Sequence, residues 1–424
     1  MFGKGPYVRM KGKIAVVGLG YVGLPLAILC HSKKFDVVGI DIDPSKIDSL
    51  KRGKSYLTDL EDSEIEQLSK SKHFAYSSNF STVKDVDTIV ICVPTPLNNK
   101  AEPNLDFVKK AFENMLPYLK PQQLIVVESS TYPGTTEEVL KPMLEIEGWE
   151  IGQNLYLGYS PERIDPGNQL FSLENIPKII SGSSLQCLHV LQDVYKEIFN
   201  ELVPVKSTKI AEMTKIVENT QRFINISFMN ELSKLSENLD IDIWEVIEAA
   251  STKPYGFMPY YPGPGIGGHC IPVDPLYLKW KAQELGLKTD FIDLAKKIND
   301  EQPAYIIDRI NRLVETGGKL LVVGLTYKKD INDLRESSSL PILEGLIDQG
   351  YEVQYHDPFI AQFTYHEAVY YHQDISSESL ADYDCVILLT DHSQINFTLI
   401  EQKSKKVFDT RNCLDATLPH VYKL

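Results

Sequence analysis

The stretch PGPGIGGHCIPVDP, residues 262–275, seats a single cysteine in a run of glycine and proline. Cys270 follows Gly267, Gly268 and His269, and Asp274 lies four residues beyond it. A structural cysteine hides on an apolar helix or strand and acts as a small hydrophobe. A thiol on rigid, closely approachable backbone instead has the setting of a nucleophile. A tight turn that happens to carry a cysteine is the alternative. Upstream, Lys215, Asn219 and Arg222 recur at i, i+4 and i+7, so the three share one helix face. A solvated polar stripe is the ordinary explanation of such a pattern. SSTYPGT (129–135) and SPERIDPG (160–167) each follow an expected strand at its C-terminal end. Open α/β sheets bind ligands there. Plain turns, with Glu162 a solvated loop charge, are the bland reading.

GLGYVG sets Gly18, Gly20 and Gly23 between an apolar strand and a helix. The first glycine permits the tight turn, the second lets backbone approach a pyrophosphate, and the third lets the helix pack on the sheet. The helix N-terminus offers free N–H groups and a positive dipole end to the phosphates. Asp41 ends the next strand, 18 residues beyond Gly23, where a carboxylate can bind a ribose 2′-hydroxyl. That carboxylate repels a 2′-phosphate, so the motif points to NAD rather than NADP. An ordinary glycine turn with a surface aspartate is the alternative.

The elements that must position these residues follow from the pattern. KIAVVGLG, FDVVGIDID, VDTIVICVPTP and QQLIVVESS are apolar strands separated by helix-like stretches such as 105–118. This alternation argues for a doubly wound parallel sheet, continued by NLYLGYSPERIDPG, PKIISG and LVPV to about residue 205. From Ser207 to Leu239 runs a long helical pattern almost free of glycine and proline; DIWEVIEAA adds another. After the cysteine loop, FIDLAKKINDEQPAYIIDRINRLVE is helical again, with a bend expected near Pro303. GGKLLVVGLTYKKD then reads as a second strand-turn-helix start, followed by the strands YEVQYHDP and CVILLTDH. The expected architecture is α/β: two Rossmann-like doubly wound domains joined by a central helical domain with a long helix. The boundaries are expected at 1–206, 207–305 and 306–424, with residues 1–11 a loose extension.

At 424 residues the chain exceeds one ordinary core. Its 43% hydrophobic and 24% charged residues are those of a globular protein. A net charge of −15 argues against a general nucleic-acid binder but permits local basic pockets for an anionic ligand. The six cysteines form no CxxC pair, and Cys92 and Cys385 sit in apolar strands, which suits a reducing cytosol and offers no metal site. The apolar run 14–30 follows four basic residues as a signal peptide would. Glycines and Pro25 interrupt it and no cleavage signal follows, so a cytoplasmic chain without membrane spans is expected.

Taken together these motifs resemble the UDP-sugar 6-dehydrogenases, most closely the UDP-N-acetylhexosamine branch. The resemblance runs through GLGYVGLPLA, VPTPL, SSTYPGTT, SPERIDPG, GGHCIPVDP, GLTYKKDINDLRESS and VFDTRN. It implies an N-terminal NAD domain, a central helical domain carrying a dimer contact, and a C-terminal UDP-binding domain. By that similarity Cys270 is the nucleophile, Lys215, Asn219 and Asp274 surround it, and Glu162 and Thr131 handle the proton and water of the later steps. Substrate contacts are implied for Glu162, Arg163, Ile164, Lys215, Asn219, Arg222, Gly267, Tyr327, Lys328 and Arg411. Contacts to NAD are implied for Tyr21, Val22, Asp41, Lys46, Thr95, Thr131 and Arg335, beside the three glycines.

The chemistry agrees. Taking a primary alcohol to a carboxylate needs two hydride transfers, with a thiohemiacetal and then a thioester on the cysteine between them. Lys215 can lower the thiol pKa and stabilise oxyanions, and Asn219 can donate to them. Glucose-specific members usually carry lysine where this chain has Val273. Residues 251–262 hold only Lys253 as a cation for a contact across a dimer. The expected substrate is UDP-N-acetylglucosamine, with the galacto epimer or UDP-glucose as alternatives. A single-step NAD dehydrogenase needs no thiol. A non-catalytic nucleotide-sugar binding protein needs neither Cys270 nor Lys215.

Overall fold

The computed structural model describes residues 12–57, 60–164 and 171–424. The extension expected over 1–11 lies outside the described residues, as do Asp165, Pro166 and Gly167 of the SPERIDPG motif. The chain divides into two compact units, one of Met1–Glu218 with Leu276–Gly286, the other of Asn219–Pro275 with Leu287–Leu424.

In the first unit the apolar runs form β1 (Lys13–Val17), β2 (Asp36–Ile40), β3 (Phe74–Ser77), β4 (Thr88–Ile91), β5 (Leu124–Val127), β6 (Tyr156–Tyr159), β7 (Lys178–Gly182) and β8 (Leu202–Pro204). They make one eight-stranded sheet in the order β3-β2-β1-β4-β5-β6-β7-β8. Ile14 and Val16 pack into one apolar cluster and Ala15 and Val17 into another, so β1 is covered on both faces. That is why it reads as continuous hydrophobe rather than alternating. The sheet is not parallel throughout, contrary to expectation: β7 runs antiparallel to β6. A parallel neighbour requires a crossover of a dozen or more residues, usually a helix. Among the described residues between these strands there is only the short turn Leu173–Asn175.

The long helical pattern is one helix, Thr208–Asn238. The next, Ile243–Ser251, starts where the Asp242 side chain accepts from the N–H groups of Trp244 and Glu245. The helix Asp290–Leu313 carries Pro303 within it and is not interrupted there.

The second unit contains a five-stranded parallel sheet, ordered β10-β9-β13-β14-β15. Its strands are β9 (Lys319–Val323), β10 (Glu352–His356), β13 (Cys385–Leu388), β14 (Val407–Asp409) and β15 (Val421–Lys423), with a hairpin of β11 (Gln362–Tyr365) and β12 (Ala368–Tyr371). The expected strand-turn-helix start at GLTYKKD is only half right. The strand and turn are there, but the helix begins at Ser339. The intervening backbone is taken up by side chains instead: Leu325 and Thr326 N–H donate to Asp357, and Asp330 N–H to His392.

Both sheets repeat one device. Gly18 N–H donates to the Ile40 carbonyl at 2.8 Å, and Gly324 N–H to that of His356 at 2.9 Å. The next amide goes to a carboxylate beyond the second strand, Leu19 N–H to Asp41 at 2.9 Å and Leu325 N–H to Asp357 at 2.6 Å. The two α/β ends are therefore related down to single hydrogen bonds.

Gly324 has φ of +86°, and an added Cβ would lie 2.4 Å from that of Thr390. Gly350, with φ of +89°, meets nothing within 4 Å. Gly324→Ala should therefore cost about 2–4 kcal/mol, from backbone strain plus overpacking, and Gly350→Ala only about 1 kcal/mol. Thermal unfolding of the two variants side by side checks this; equal shifts would show that the clash does not matter.

Candidate active site

The first glycine turn has the shape its sequence implies. Gly18 has φ of +92°, and a Cβ there would lie 2.7 Å from the Cys92 carbonyl oxygen. At Gly23 a Cβ would lie 1.8 Å from the Gly18 carbonyl, whereas at Gly20 it would meet nothing within 4 Å. The open face is thus at the middle glycine, where a pyrophosphate needs room, at the start of the helix Gly23–Ser32. Tyr21 and Val22 line this turn half-buried. Asp41 is buried and accepts from Leu19 N–H, Asp43 N–H and the Lys46 ammonium at 2.9, 2.9 and 3.0 Å. One Oδ1 lone pair is left for a ribose hydroxyl. Thr95 is buried, and its carbonyl accepts from the Tyr277 hydroxyl. The Thr131 hydroxyl is fully buried with no hydrogen-bond partner among the described residues. An orphaned donor of this kind costs about 1–3 kcal/mol unless a ligand satisfies it. These features fit a dinucleotide.

Glu162 stands just beyond β6 and is buried. One carboxylate oxygen accepts from the N–H groups of Arg163 and Ile164, both at 2.7 Å; the other accepts from the Lys178 ammonium at 2.7 Å. Burial pushes this carboxyl up, but the Lys178 charge and the two amides outweigh it and hold it below the ordinary range. The Arg163 guanidinium pairs with Glu218 at 2.7 Å and donates to the Pro177 carbonyl at 2.9 Å. Lys215 is buried on the long helix, one turn before Asn219; Arg222 is exposed.

In the second unit Cys270 is exposed at the end of the glycine run. The backbone before it leaves no space for side chains. A Cβ at Gly265 would lie 2.5 Å from Ser338 Oγ, at Gly267 2.5 Å from the Glu336 carbonyl, and at Gly268 2.6 Å from the Tyr327 ring. Three neutral amides grip the loop. Gly263 donates to Asn230 at 2.9 Å and accepts from Gln302 at 2.9 Å, while Asn299 accepts from Ile266 N–H at 2.7 Å and donates to its carbonyl at 3.3 Å. Gly268 N–H donates to the Arg335 carbonyl, and the Arg335 guanidinium pairs with Asp333 at 2.6 Å. Asn219 donates to the Asp274 carboxylate at 2.5 Å, and Asp274 N–H closes a turn onto the Cys270 carbonyl. Burial lowers the pKa of His269, with the Arg335 charge acting in the same direction. Tyr327 and Lys328 are half-buried after β9. Arg411 follows β14 and donates to the Leu389 carbonyl at 2.7 Å; a Cβ on Gly263 would lie 3.1 Å from its guanidinium.

The family models of the UDP-glucose/GDP-mannose dehydrogenase family match the chain in series. The NAD binding domain covers residues 12–199, the central domain 209–301 and the UDP binding domain 321–416. The chain belongs to this family. It is 39% identical to Protein CapL of Staphylococcus aureus over 82% of each chain. It is 34% identical to the UDP-N-acetyl-D-glucosamine 6-dehydrogenase of Pseudomonas aeruginosa over 95% of this chain and 97% of that one. The solved UDP-N-acetyl-mannosamine dehydrogenase Cap5O from S. aureus superposes with a TM-score of 0.80 at 33% identity, covering 97% of this chain and 98% of that one. The chain is thus an NAD-dependent UDP-sugar dehydrogenase by family, with the three-domain α/β fold its sequence pattern suggests.

Sequence reasoning overlooked the groups that hold the named ones. Lys178 carried a visible signal, a cation opening the otherwise apolar strand PKIISG. Asn230, Asn299 and Gln302 carried none, being ordinary polar residues on helices. Among the described residues no group of three or more His, Cys, Asp or Glu side chains is placed to hold a metal, and no helix is long and apolar enough to cross a membrane.

The Asp41 charge sets the cofactor test. The protein should prefer NAD over NADP by at least tenfold in kcat/KM, about 1.4 kcal/mol. Asp41→Asn keeps an acceptor for the Leu19 amide but removes the repulsion, so the ratio should move towards parity. Steady-state kinetics with both cofactors measures this; an unchanged ratio would mean that Asp41 does not face the 2′ position.

Proposed function

We propose that this protein oxidises the C6 hydroxyl of a UDP-N-acetylhexosamine, foremost UDP-N-acetylglucosamine, to the carboxylate. The observation that carries the reading is Cys270, exposed on a loop whose glycines admit no side chain and whose backbone is gripped by neutral amides. A nucleophile of that kind has a use in the four-electron oxidation of an alcohol and none in a single-step dehydrogenase. NAD supplies the hydride acceptor. The Cys270 thiolate adds to the C6 aldehyde, forming a C–S bond and an oxyanion that takes a proton. Loss of hydride from that carbon, with the hydroxyl proton passing to a base, leaves the thioester, and water cleaves the C–S bond to release acid and thiol. Lys215 and Asn219 stabilise the oxyanions, Asp274 orients Asn219 through their hydrogen bond, and Glu162 with Thr131 directs the water. Arg163, Ile164, Arg222, Gly267, Tyr327, Lys328 and Arg411 are assigned to the nucleotide sugar. Tyr21, Val22, Lys46, Thr95 and Arg335 are assigned to the cofactor.

The acetamido class rests on the sequence of the cysteine loop and on the names of two relatives, which act on N-acetylglucosamine and N-acetylmannosamine derivatives. A site that hydrogen-bonds the C2 amide leaves its own groups unpaired when glucose binds, at about 1–3 kcal/mol each. UDP-N-acetylglucosamine should therefore exceed UDP-glucose at least tenfold in kcat/KM. A panel that includes the galacto and manno forms tests the choice, and a clear preference for UDP-glucose would overturn the branch assignment.

Homodimerisation is part of the same reading. Ile210, Met213, Val217, Phe228 and Leu235 fall on one face of the long helix, between 36% (Met213) and 55% (Leu235) exposed, and Leu239 just past its end is 58% exposed. Exposed apolar faces of this extent mark association surfaces. Phe228→Glu should shift the mass measured by light scattering to that of a monomer.

Cys270→Ala should abolish acid formation while leaving NAD and UDP-sugar affinity within about threefold of wild type. Two NADH per sugar are expected of the wild-type protein; one would favour a single-step dehydrogenase and none a binding protein. Lys215→Ala should lower kcat far more than it raises KM, because its charge matters where an oxyanion develops. An effect on KM alone would make Lys215 a binding residue.

A further inference from the structure

Behind Glu162 lies a cluster of charges that the reaction has not yet used. Lys178 donates to Glu162 at 2.7 Å and to Glu128 at 2.8 Å, and Tyr195 donates to the other oxygen of Glu128 at 2.5 Å. The Lys178 ammonium also lies 5.0 Å from the centre of the Phe199 ring. All three charged side chains are nearly inaccessible, at 3% for Lys178, 0% for Glu128 and 6% for Glu162. Burying three charges is costly, and apolar residues of similar volume often give equal or better stability. A purely structural account therefore explains little.

The topology supplies a reason. In a parallel sheet the first residue of a strand lies at the edge opposite the ligand loops. Here β7 is antiparallel to β6, with Gly158 opposite Gly182 and Tyr159 opposite Ser181. Continuing that register sets Lys178, the first residue of β7, opposite Glu162. Glu128 follows β5, whose Val127 pairs with Tyr159 of β6, so it comes to the same edge from the other side. The reversal at β7, which β8 shares, thus delivers a cation to the edge where the loops act.

We propose that Lys178 and Glu128 are positioning residues for the Glu162 carboxylate, Lys178 fixing one of its oxygens and Glu128 fixing Lys178. The proposal rests on the reading that Glu162 directs the water that cleaves the thioester. With one oxygen tied to two amides and the other to Lys178, Glu162 keeps a single lone pair without a partner among the described residues. The remaining titratable neighbours are Cys30, Cys92 and Tyr195, each pushed up in pKa by burial first of all. Burial raises the Glu128 carboxyl to about 7 against the pull of Lys178, whereas Glu162 is held below the ordinary range. When Glu128 is ionised its charge makes Glu162 more basic; below pH 7 its protonation removes that help.

The test follows the covalent intermediate. Wild type with UDP-N-acetylglucosamine should release two NADH per sugar without accumulating adduct, and kcat should decline modestly below pH 7. Glu162→Gln should release a burst of two NADH per site and stall as a thioester visible by intact mass. Lys178→Met should trap the same adduct, lower kcat by about 10²-fold with KM within about threefold, and add nothing to Glu162→Gln in the double variant. Glu128→Gln should abolish the decline below pH 7. Should Lys178→Met not fold, the paired variant Glu128→Gln/Lys178→Met removes an anion with the cation and should trap the same adduct. A Lys178 variant, single or paired, that loses thermal stability but shows no trapped adduct, or effects that add in the double variant, would overturn the proposal. Absence of NADH from wild type with every UDP-sugar would instead overturn the function assigned to Glu162, and the proposal with it.

Discussion

The structure depends on carboxylates that accept backbone N–H groups at the C-terminal edges of the two sheets. Parallel strands end there with amides pointing out of the sheet, and the loops that follow must bury some of those amides without helical partners. Asp41 serves the turn after β1, Asp357 the turn after β9, and Asp409 the Arg411, Cys413 and Leu414 amides after β14. Glu162 does the same for Arg163 and Ile164, and Glu212, from the long helix, for Gly134 and Thr136. A charge-assisted bond to an amide is stronger than a neutral one. Each loop is thereby held in a single shape, and the ligand-binding edge is the rigid one.

The two halves use the same latch for different ends. Around Asp41 an oxygen lone pair remains and Gly20 leaves the turn open. Around Asp357, Oδ2 accepts from Leu325 and Thr326 and lies beside His392, and Oδ1 accepts from Phe359. His392 is fully buried 3.2 Å from that carboxylate. The two latches thus differ in what stands beside the carboxylate, the Lys46 ammonium in the first half and the His392 ring in the second. The second retains the scaffold and carries Tyr327, Lys328 and Arg411, proposed above to meet the nucleotide sugar, on the loops after β9 and β14. This matches the family's division into NAD binding and UDP binding domains.

What was legible in the sequence is what physics writes locally. Glycines forced by a positive φ or a close approach, apolar runs buried on two faces, and a lone cysteine among glycines all announce themselves by residue type. The reversed strand β7 did not, because its four buried residues look the same whichever way the strand runs. The late start of the helix at Ser339 was hidden for a related reason. The residues before it spend their amides on Asp357 and His392, partners far away in sequence. Lys178 was half legible: a lysine opening an apolar strand is odd, but its two carboxylates lie 50 and 16 residues away. The fold class could be read from pattern, whereas the supports of the site are long-range pairings between ordinary residue types.

The choice of support differs in kind between the two stretches proposed to be catalytic. Glu162 is held by charge, whereas the Cys270 loop is held by Asn230, Asn299 and Gln302, all neutral. A carboxylate in that second role would raise the thiol's pKa and starve the reaction of thiolate; a fixed ammonium would lower it and also weaken the nucleophile. An amide supplies both a donor and an acceptor to the backbone with no net charge. It can fix the loop without setting the ionisation of the sulfur it carries. The anion close in sequence, Asp274, is bound by the Asn219 amide. Rigidity and reactivity are thus assigned to separate groups. The loop can be held in place, as a nucleophile that must meet one carbon requires, by groups that carry no charge of their own.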